Sequence, residues 1–139
     1  MIDRVLVAMD DSEMGEKALR YALEAYPGAE VTVLHVVGEP SPMMGQAVRL
    51  ALEDDVQAAA EELAEEVLER GHEIAAEYDA EIETTVGWGT PAKVIVSTAA
   101  DFETVVIGSH SGSLADQLFV GNVAQKVFRR SPVPVVTVR

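Results

Sequence analysis

Short runs of continuous apolar, β-branched residues alternate along this chain with segments whose apolar residues recur every three or four positions, and that alternation leaves few folds open. Val5-Leu6-Val7-Ala8-Met9 is apolar at every position. A strand with one wet face would alternate, so an unbroken run reads as a strand covered on both sides, as in a parallel sheet between layers of helix. The first strand is expected over Ile2 to Met9, followed by strands over Val31 to Val37, Ile82 to Val86, Glu103 to Ile107 and Val133 to Val138. Between the first two, Ser12 is a good N-cap, and Ala18, Leu19, Ala22 and Leu23 share a helical face until Pro27-Gly28. From Gln46 to about Tyr78 the residues are strong helix formers, with Val48, Leu52, Val56, Ala59, Leu63, Val67, Ile74 and Tyr78 spaced mainly by three and four. That predicts one long helix, and Gly71, costing about 1 kcal/mol against alanine, is where it would bend. Gly87-Trp88-Gly89 is expected as a loop, with Thr90 as N-cap and Pro91 opening a short helix to about Ala100. A last helix is predicted over Asn122 to Arg130. Strands alternating with helices imply right-handed crossovers and a doubly wound α/β sheet, which binds ligands at the carboxyl ends of its strands where the strand order reverses.

The 139 residues suit a single domain, 1–139, and no apolar run approaches the roughly 20 residues of a membrane span. The chain enters its first strand without the basic and apolar regions of a signal peptide, so a cytoplasmic location is expected. With no cysteine, disulfides, thiolate metal sites and cysteine nucleophiles are excluded. The net charge of -14, from 24 acidic against 10 basic residues, argues against a nucleic-acid partner, which needs clustered Lys and Arg.

Three segments fall at the expected ligand edge: Met9-Asp10-Asp11-Ser12, His35-Val36-Val37-Gly38, and Gly108-Ser109-His110-Ser111-Gly112-Ser113 with Gly121-Asn122-Val123. The last combines small residues, which let backbone amides approach an anion, with a glycine at a helix start, where unpaired N–H groups and the helix dipole favour phosphate. Gly108 and Gly112 taken alone read better as a structural turn, and it is the downstream glycine at a helix start that points to phosphate. Asp10-Asp11 could form a magnesium pair like that of a response-regulator receiver, although Gly87 and Arg139 stand where a receiver needs its phospho-acceptor and lysine. His35, inside an apolar strand, reads as structural; His72 reads as exposed; Trp88 reads as covering the core or a dimer contact. No Ser, His and Asp spacing argues for a nucleophilic triad.

Val7-Ala8-Met9-Asp10-Asp11-Ser12, Leu34-His35-Val36, Gly89-Thr90-Pro91-Ala92, Val106-Ile107-Gly108-Ser109-His110, Val120-Gly121-Asn122-Val123-Ala124 and Ser131-Pro132-Val133-Pro134-Val135 together resemble the universal stress protein (UspA) superfamily over the whole chain. The resemblance implies a five-stranded parallel sheet of order 3-2-1-4-5 with helices on both faces, the adenine nucleotide alpha hydrolase-like class, and homodimers pairing through the last strand, here 133–138. ATP-binding members carry G-x-x-G, nine further residues and G-[S/T]. Here Gly108 and Gly121 match, while Ser111 replaces the second glycine, Gly112 falls one place late, and Asn122 holds the Ser/Thr position.

By that resemblance Asp10 and the Ala8-Met9 backbone face the adenosine, Val36 meets adenine through its backbone, and Gly108, Ser109, His110, Ser111, Gly112 and Ser113 with Gly121, Asn122 and Val123 wrap the ribose and phosphates of ATP, or of ADP or AMP, with Mg2+. Turnover would be slow or absent, since the nearest arginines in sequence, Arg129 and Arg130, fall at the far end of the last helix. The alternative is a dimer of the same fold that has lost nucleotide binding and serves as a protein-interaction module. An adenylate-forming enzyme with a pyrophosphatase loop would show an S-G-G-x-D-S-like run after the first strand, where this chain has Ala8-Met9-Asp10-Asp11-Ser12.

Much of the acid lies on helical stretches such as Glu61-Glu62-Leu63-Ala64-Glu65-Glu66, which reads as a solvated outer face. With only Lys17, Lys93 and Lys126 as lysines, the balance also suits a surface adapted to high salt, where concentrated ions screen self-repulsion. The midpoint of thermal unfolding is expected to rise as KCl goes from dilute to molar; a falling midpoint removes the halophile reading.

Overall fold

The computed structural model describes residues 1–37, 46–110 and 121–139, with residues 46–57 as backbone only. Its elements run β1 (Arg4–Ala8), α1 (Glu13–Ala25), β2 (Glu30–Val37), α2 (Gln46–Glu77), β3 (Ile82–Trp88), α3 (Pro91–Ala99), β4 (Thr104–Gly108), α4 (Asn122–Arg130) and β5 (Val135–Val138). All strand pairs are parallel and the sheet order is β3-β2-β1-β4-β5. This is the doubly wound five-stranded architecture expected.

Strand alternation sorts the core into two layers. Val5, Val7, Met9, Val31, Val33 and Val106 face α1 and α2, packing on Ala18, Leu19, Ala22, Val67 and Ile74. Leu6, Leu34, Val105 and Ile107 face the opposite way, onto Ala92, Ile95 and Ala99 of α3 and Ala124 and Val127 of α4. Because both faces of the central strands are covered, Val5, Leu6, Val7, Val33, Val105 and Val106 are wholly buried. That is why their sequence is continuously apolar rather than alternating.

The long helix runs unbroken past Gly71. A side chain there would meet Ile82 Cδ1 at 3.4 Å and Leu19 Cδ2 and Met9 Sδ at 3.8 Å, ordinary packing distances, so the position faces the sheet and α1 without interrupting the helix. The outer side of this layer is laced by ion pairs: Arg20 of α1 with Glu77 of α2, and Arg70 of α2 with Glu16 at 2.8 Å and Glu73 at 3.1 Å. The Arg20 hydrogen bond holds the Glu77 carboxyl below its ordinary range, while Glu16 and then Glu73 push the Arg70 guanidinium up.

Several boundaries differ from expectation. Gly87 and Trp88 belong to β3, opposite Val36 and Val37, so the loop begins only at Gly89, whose φ of +130° turns the chain into α3. Trp88 is 52% exposed and covers little of the core. Thr90 occupies the N-cap position of α3, yet its hydroxyl makes no capping bond. β5 starts at Val135 because Pro134 lacks an amide to donate; its carbonyl instead accepts from Val105 N at 3.0 Å and Thr104 Oγ1 at 2.8 Å.

Candidate functional site

The chain leaves β1 towards one face of the sheet and, after β4, reaches α4 on the other. Because these two strands are neighbours, the departing segments part at their carboxyl ends and leave a cleft. A cavity of about 440 Å³ lies there, within the range of small-molecule sites, roughly 300–1,000 Å³.

The turn out of β1 is held by its own side chains. Asp10 Oδ1 accepts from the Ser12 amide at 3.0 Å and from the Ser12 hydroxyl, while Ser12 Oγ accepts from the Gly15 amide at 3.2 Å and so caps α1. A side chain at position 15 would sit 2.9 Å from the Asp10 carbonyl and carboxylate oxygens, so the glycine lets α1 begin directly beneath this turn. On the neighbouring strand His35 is buried, and its Nδ1–H donates to the Met9 carbonyl at 3.0 Å. Met9 N donates in turn to Leu34 O at 2.9 Å, which fixes the carboxyl end of β1 from two sides.

The opposite wall is the end of β4 and the start of α4. The Ser109 amide donates to Val138 O at 2.7 Å, and the Gly121 amide donates to Ser109 O, docking the first residue of the α4 turn on the strand. Gly121 is the N-cap of α4, with no side-chain cap, and the first helical bond is Gln125 N to Gly121 O at 2.9 Å. The amides of Asn122, Val123 and Ala124 have no acceptor within the helix, so together they form an anion-attracting end on the cavity wall.

Of the residues singled out in the sequence, Ala8, Met9, Asp10, Val36, Gly108, Ser109, His110, Gly121, Asn122 and Val123 all line this one cavity. Ser111, Gly112 and Ser113 lie outside the described residues. Of the Asp10-Asp11 pair only Asp10 lines the main cavity, while both border a separate hollow of about 120 Å³ with Arg70 and Glu66, so the receiver-like carboxylate pair does not face the main cavity. His72 is exposed on α2.

The two glycines matched to phosphate binding have packing reasons of their own. A Cβ at Gly108 would stand 2.9 Å from Met14 Cβ and 3.1 Å from its carbonyl, where α1 crosses β4; one at Gly121 would stand 3.2 Å from Ser109 O. The cavity walls also include Leu34, Pro91 and Ile95, which the sequence reading did not place at the site. Strand parity held the signal for Leu34, since it shares its face with Val36. The Nδ1 atom of half-buried His110 is fully enclosed and has no hydrogen-bond partner among the described residues.

Among the described residues, no group of three or more His, Cys, Asp or Glu could hold a metal ion, and no helix is long and apolar enough to cross a membrane.

This architecture and whole-chain similarity define the class. The profile of the universal stress protein family matches residues 1–139. Universal stress protein YxiE of Bacillus subtilis is 30% identical, with all of both chains covered. Among solved structures, universal stress protein UspA from Lactobacillus plantarum superposes with a TM-score of 0.85 at 22% identity, covering 99% of this chain and 98% of that one. A universal stress protein in complex with cAMP gives 0.71 at 23% identity, covering 99% and 97%. The chain belongs to the universal stress protein family.

Substituting Ser12→Ala removes both the α1 cap and the hydroxyl donor to Asp10, leaving the residue-12 amide bond to Asp10 in place. It is expected to cost about 1 kcal/mol of stability in urea unfolding; an unchanged midpoint and slope would show that the turn does not depend on this hydroxyl.

Proposed function

We propose that this chain binds an adenine nucleotide, ATP with Mg2+ or the related ADP or AMP, in a regulatory and largely non-catalytic role. The observation that carries the reading is the cavity at the β1–β4 divergence, lined on one side by the uncapped amino end of α4 and on the other by Asp10 and Val36. The relative solved in complex with cAMP supports an adenine nucleotide as the ligand class. In this reading Val36 and the Ala8-Met9 backbone meet the base and its ribose, Asp10 the ribose hydroxyls, and the Gly108 to Ser113 and Gly121 to Val123 segments the phosphates.

Asp10 is the only carboxylate among the described residues lining the cavity, and one of its oxygens is engaged by Ser12. A magnesium ion would therefore be held chiefly by the ligand's phosphates and by water, an arrangement common for this ion. Low turnover is supported by the same census, which offers no lysine or arginine to stabilise phosphoryl transfer.

The protein would act as a homodimer joined through its last strand. β5 is an edge of the sheet, and Val135, Val136, Thr137 and Val138 are each only half-buried, a combination that natural sheets pair or cover. Native mass spectrometry of the gently purified chain incubated with ATP and magnesium is expected to show a dimer carrying adenine nucleotide, and Val136→Lys to shift it towards monomer. A bare monomer at micromolar concentration would contradict both parts.

The packing reasons for Gly108 and Gly121 favour a second reading, in which the fold keeps these glycines for α1 and α4 while the nucleotide has been lost and the dimer serves as an interaction module. Ser111→Gly with Asn122→Ser restores the family pattern and separates the two. A gain in ATP affinity by calorimetry means the pocket still receives phosphate, whereas no binding in either form leaves the interaction role.

A further inference from the structure

Charge is unevenly spread along this chain. Residues 121–139 hold Lys126, Arg129, Arg130 and Arg139 with neither Asp nor Glu, so all 24 acidic residues precede them. On α4, Arg129 and Arg130 stand three and four residues beyond Lys126, which puts the three cations on one side of the helix. They are exposed and have no carboxylate partner among the described residues, whereas Arg20 and Arg70 are both paired. Phe128 lies among them and is 67% exposed. The dipole at a helix end favours Arg129 and Arg130, but it gives no reason for a bare aromatic ring beside them.

The other face of the sheet carries the converse. The hollow of about 120 Å³ between α1 and α2 has Met9, Leu63 and Val67 as its apolar residues; Met9 and Val67 are buried, and Leu63 is 39% exposed. Its charged wall is acidic, with Asp10, Asp11, Glu16 and Glu66 against one cation, Arg70, which is already bonded to Glu16 and Glu73. An apolar cavity of roughly 150 Å³ takes up benzene, so the hollow has the size of one aromatic side chain. A ring set among cations and an apolar hollow set among carboxylates match in size and in charge, and aromatic and arginine side chains are the commonest anchors of protein interfaces.

We infer that these two surfaces are partners: Phe128 of one copy of this chain inserts between α1 and α2 of a second copy and brings Lys126, Arg129 and Arg130 to the rim formed by Asp11 and Glu66. Because α4 and the α1–α2 pair lie on opposite faces of the sheet, two copies do not exchange the contact reciprocally. Each keeps one surface free, and copies stack head to tail. Two chains of net charge -14 repel each other at long range, but at about 0.15 M salt that repulsion is screened beyond roughly 8 Å while groups in contact still attract. A nucleic acid or an anionic lipid surface would meet the same repulsion and leave the hollow unfilled. The contact requires neither the nucleotide nor the β5 dimer.

Sedimentation velocity on the full chain at about 0.15 M salt, from micromolar to millimolar protein, reads the contact. The weight-average mass of the wild type is expected at least to double over that range, and Phe128→Ala to hold it at the dilute value. Two charge reversals at exposed positions separate this contact from any other: Arg129→Glu with Arg130→Glu, and Asp11→Lys with Glu66→Lys. Each variant alone should stay at its dilute mass, because like charge then meets like. An equal mixture of the two should associate again, since each altered surface fits the other. If either reversal loses the helical circular dichroism of the wild type, Phe128→Ala decides alone. Val136→Lys should leave the growth in place. A wild-type mass independent of concentration overturns the inference, as do growth that persists in Phe128→Ala and a mixture of folded variants that stays dissociated. Growth abolished by Val136→Lys assigns the association to the β5 edge and overturns it equally.

Discussion

The site depends on the point where two adjacent parallel strands send their chains to opposite faces of the sheet. β1 and β4 are paired from Val5↔Thr104 to Ala8↔Ile107. Beyond that register one chain caps α1 through Ser12 and the other docks Gly121 beneath α4. Backbone amides at the carboxyl ends of parallel strands lose their ladder partners where the chains separate, and both segments find local replacements. Asp10 and Ser12 satisfy one side, while the Ser109 carbonyl and Val138 satisfy the other. The amides of Asn122, Val123 and Ala124 are left over by helix geometry, and the cleft takes its chemical character from them.

Electrostatics sharpen that character. A strongly acidic protein repels anions at long range, so a phosphate has to be held by short-range donors and dipoles inside a partly enclosed space, where screening by water is weaker. Two arginines of α1 and α2 are spent elsewhere: Arg20 and Arg70 pair with Glu77, Glu16 and Glu73 and tie the outer helices together. Such exposed pairs contribute little stability individually. Their consequence for the site is that neither guanidinium is turned towards the cleft.

Much of the fold was legible in the sequence because its two periods are clean. Unbroken apolar runs marked the central strands, Ser12 marked the start of α1, and Pro91 the start of α3. The edges were harder to read. Gly87 and Trp88 resemble a turn, but both pair with β2, and a side chain at 87 would stand 2.4 Å from Val94 Cγ1, so the glycine answers α3 packing on the sheet, a constraint invisible locally. Gly71 did not bend its helix, and the capping role of Thr90 was harder to read because it depends on where its hydroxyl points rather than on residue type. At the site, the family resemblance named the residues that converge on the cavity, while the packing duties of Gly108 and Gly121 and the unpartnered His110 nitrogen emerge only when α1, β4 and α4 are assembled in space.

The central claim is that the free amides at the amino end of α4 receive the anionic part of the ligand. Backbone amide resonances followed during titration with cAMP test it most directly. The account predicts that the largest shifts fall on Asn122, Val123 and Ala124, with smaller ones at Gly108 to His110 and near Asp10. Shifts confined to the β5 edge or to the α1–α2 face, with those three amides unmoved, would contradict it.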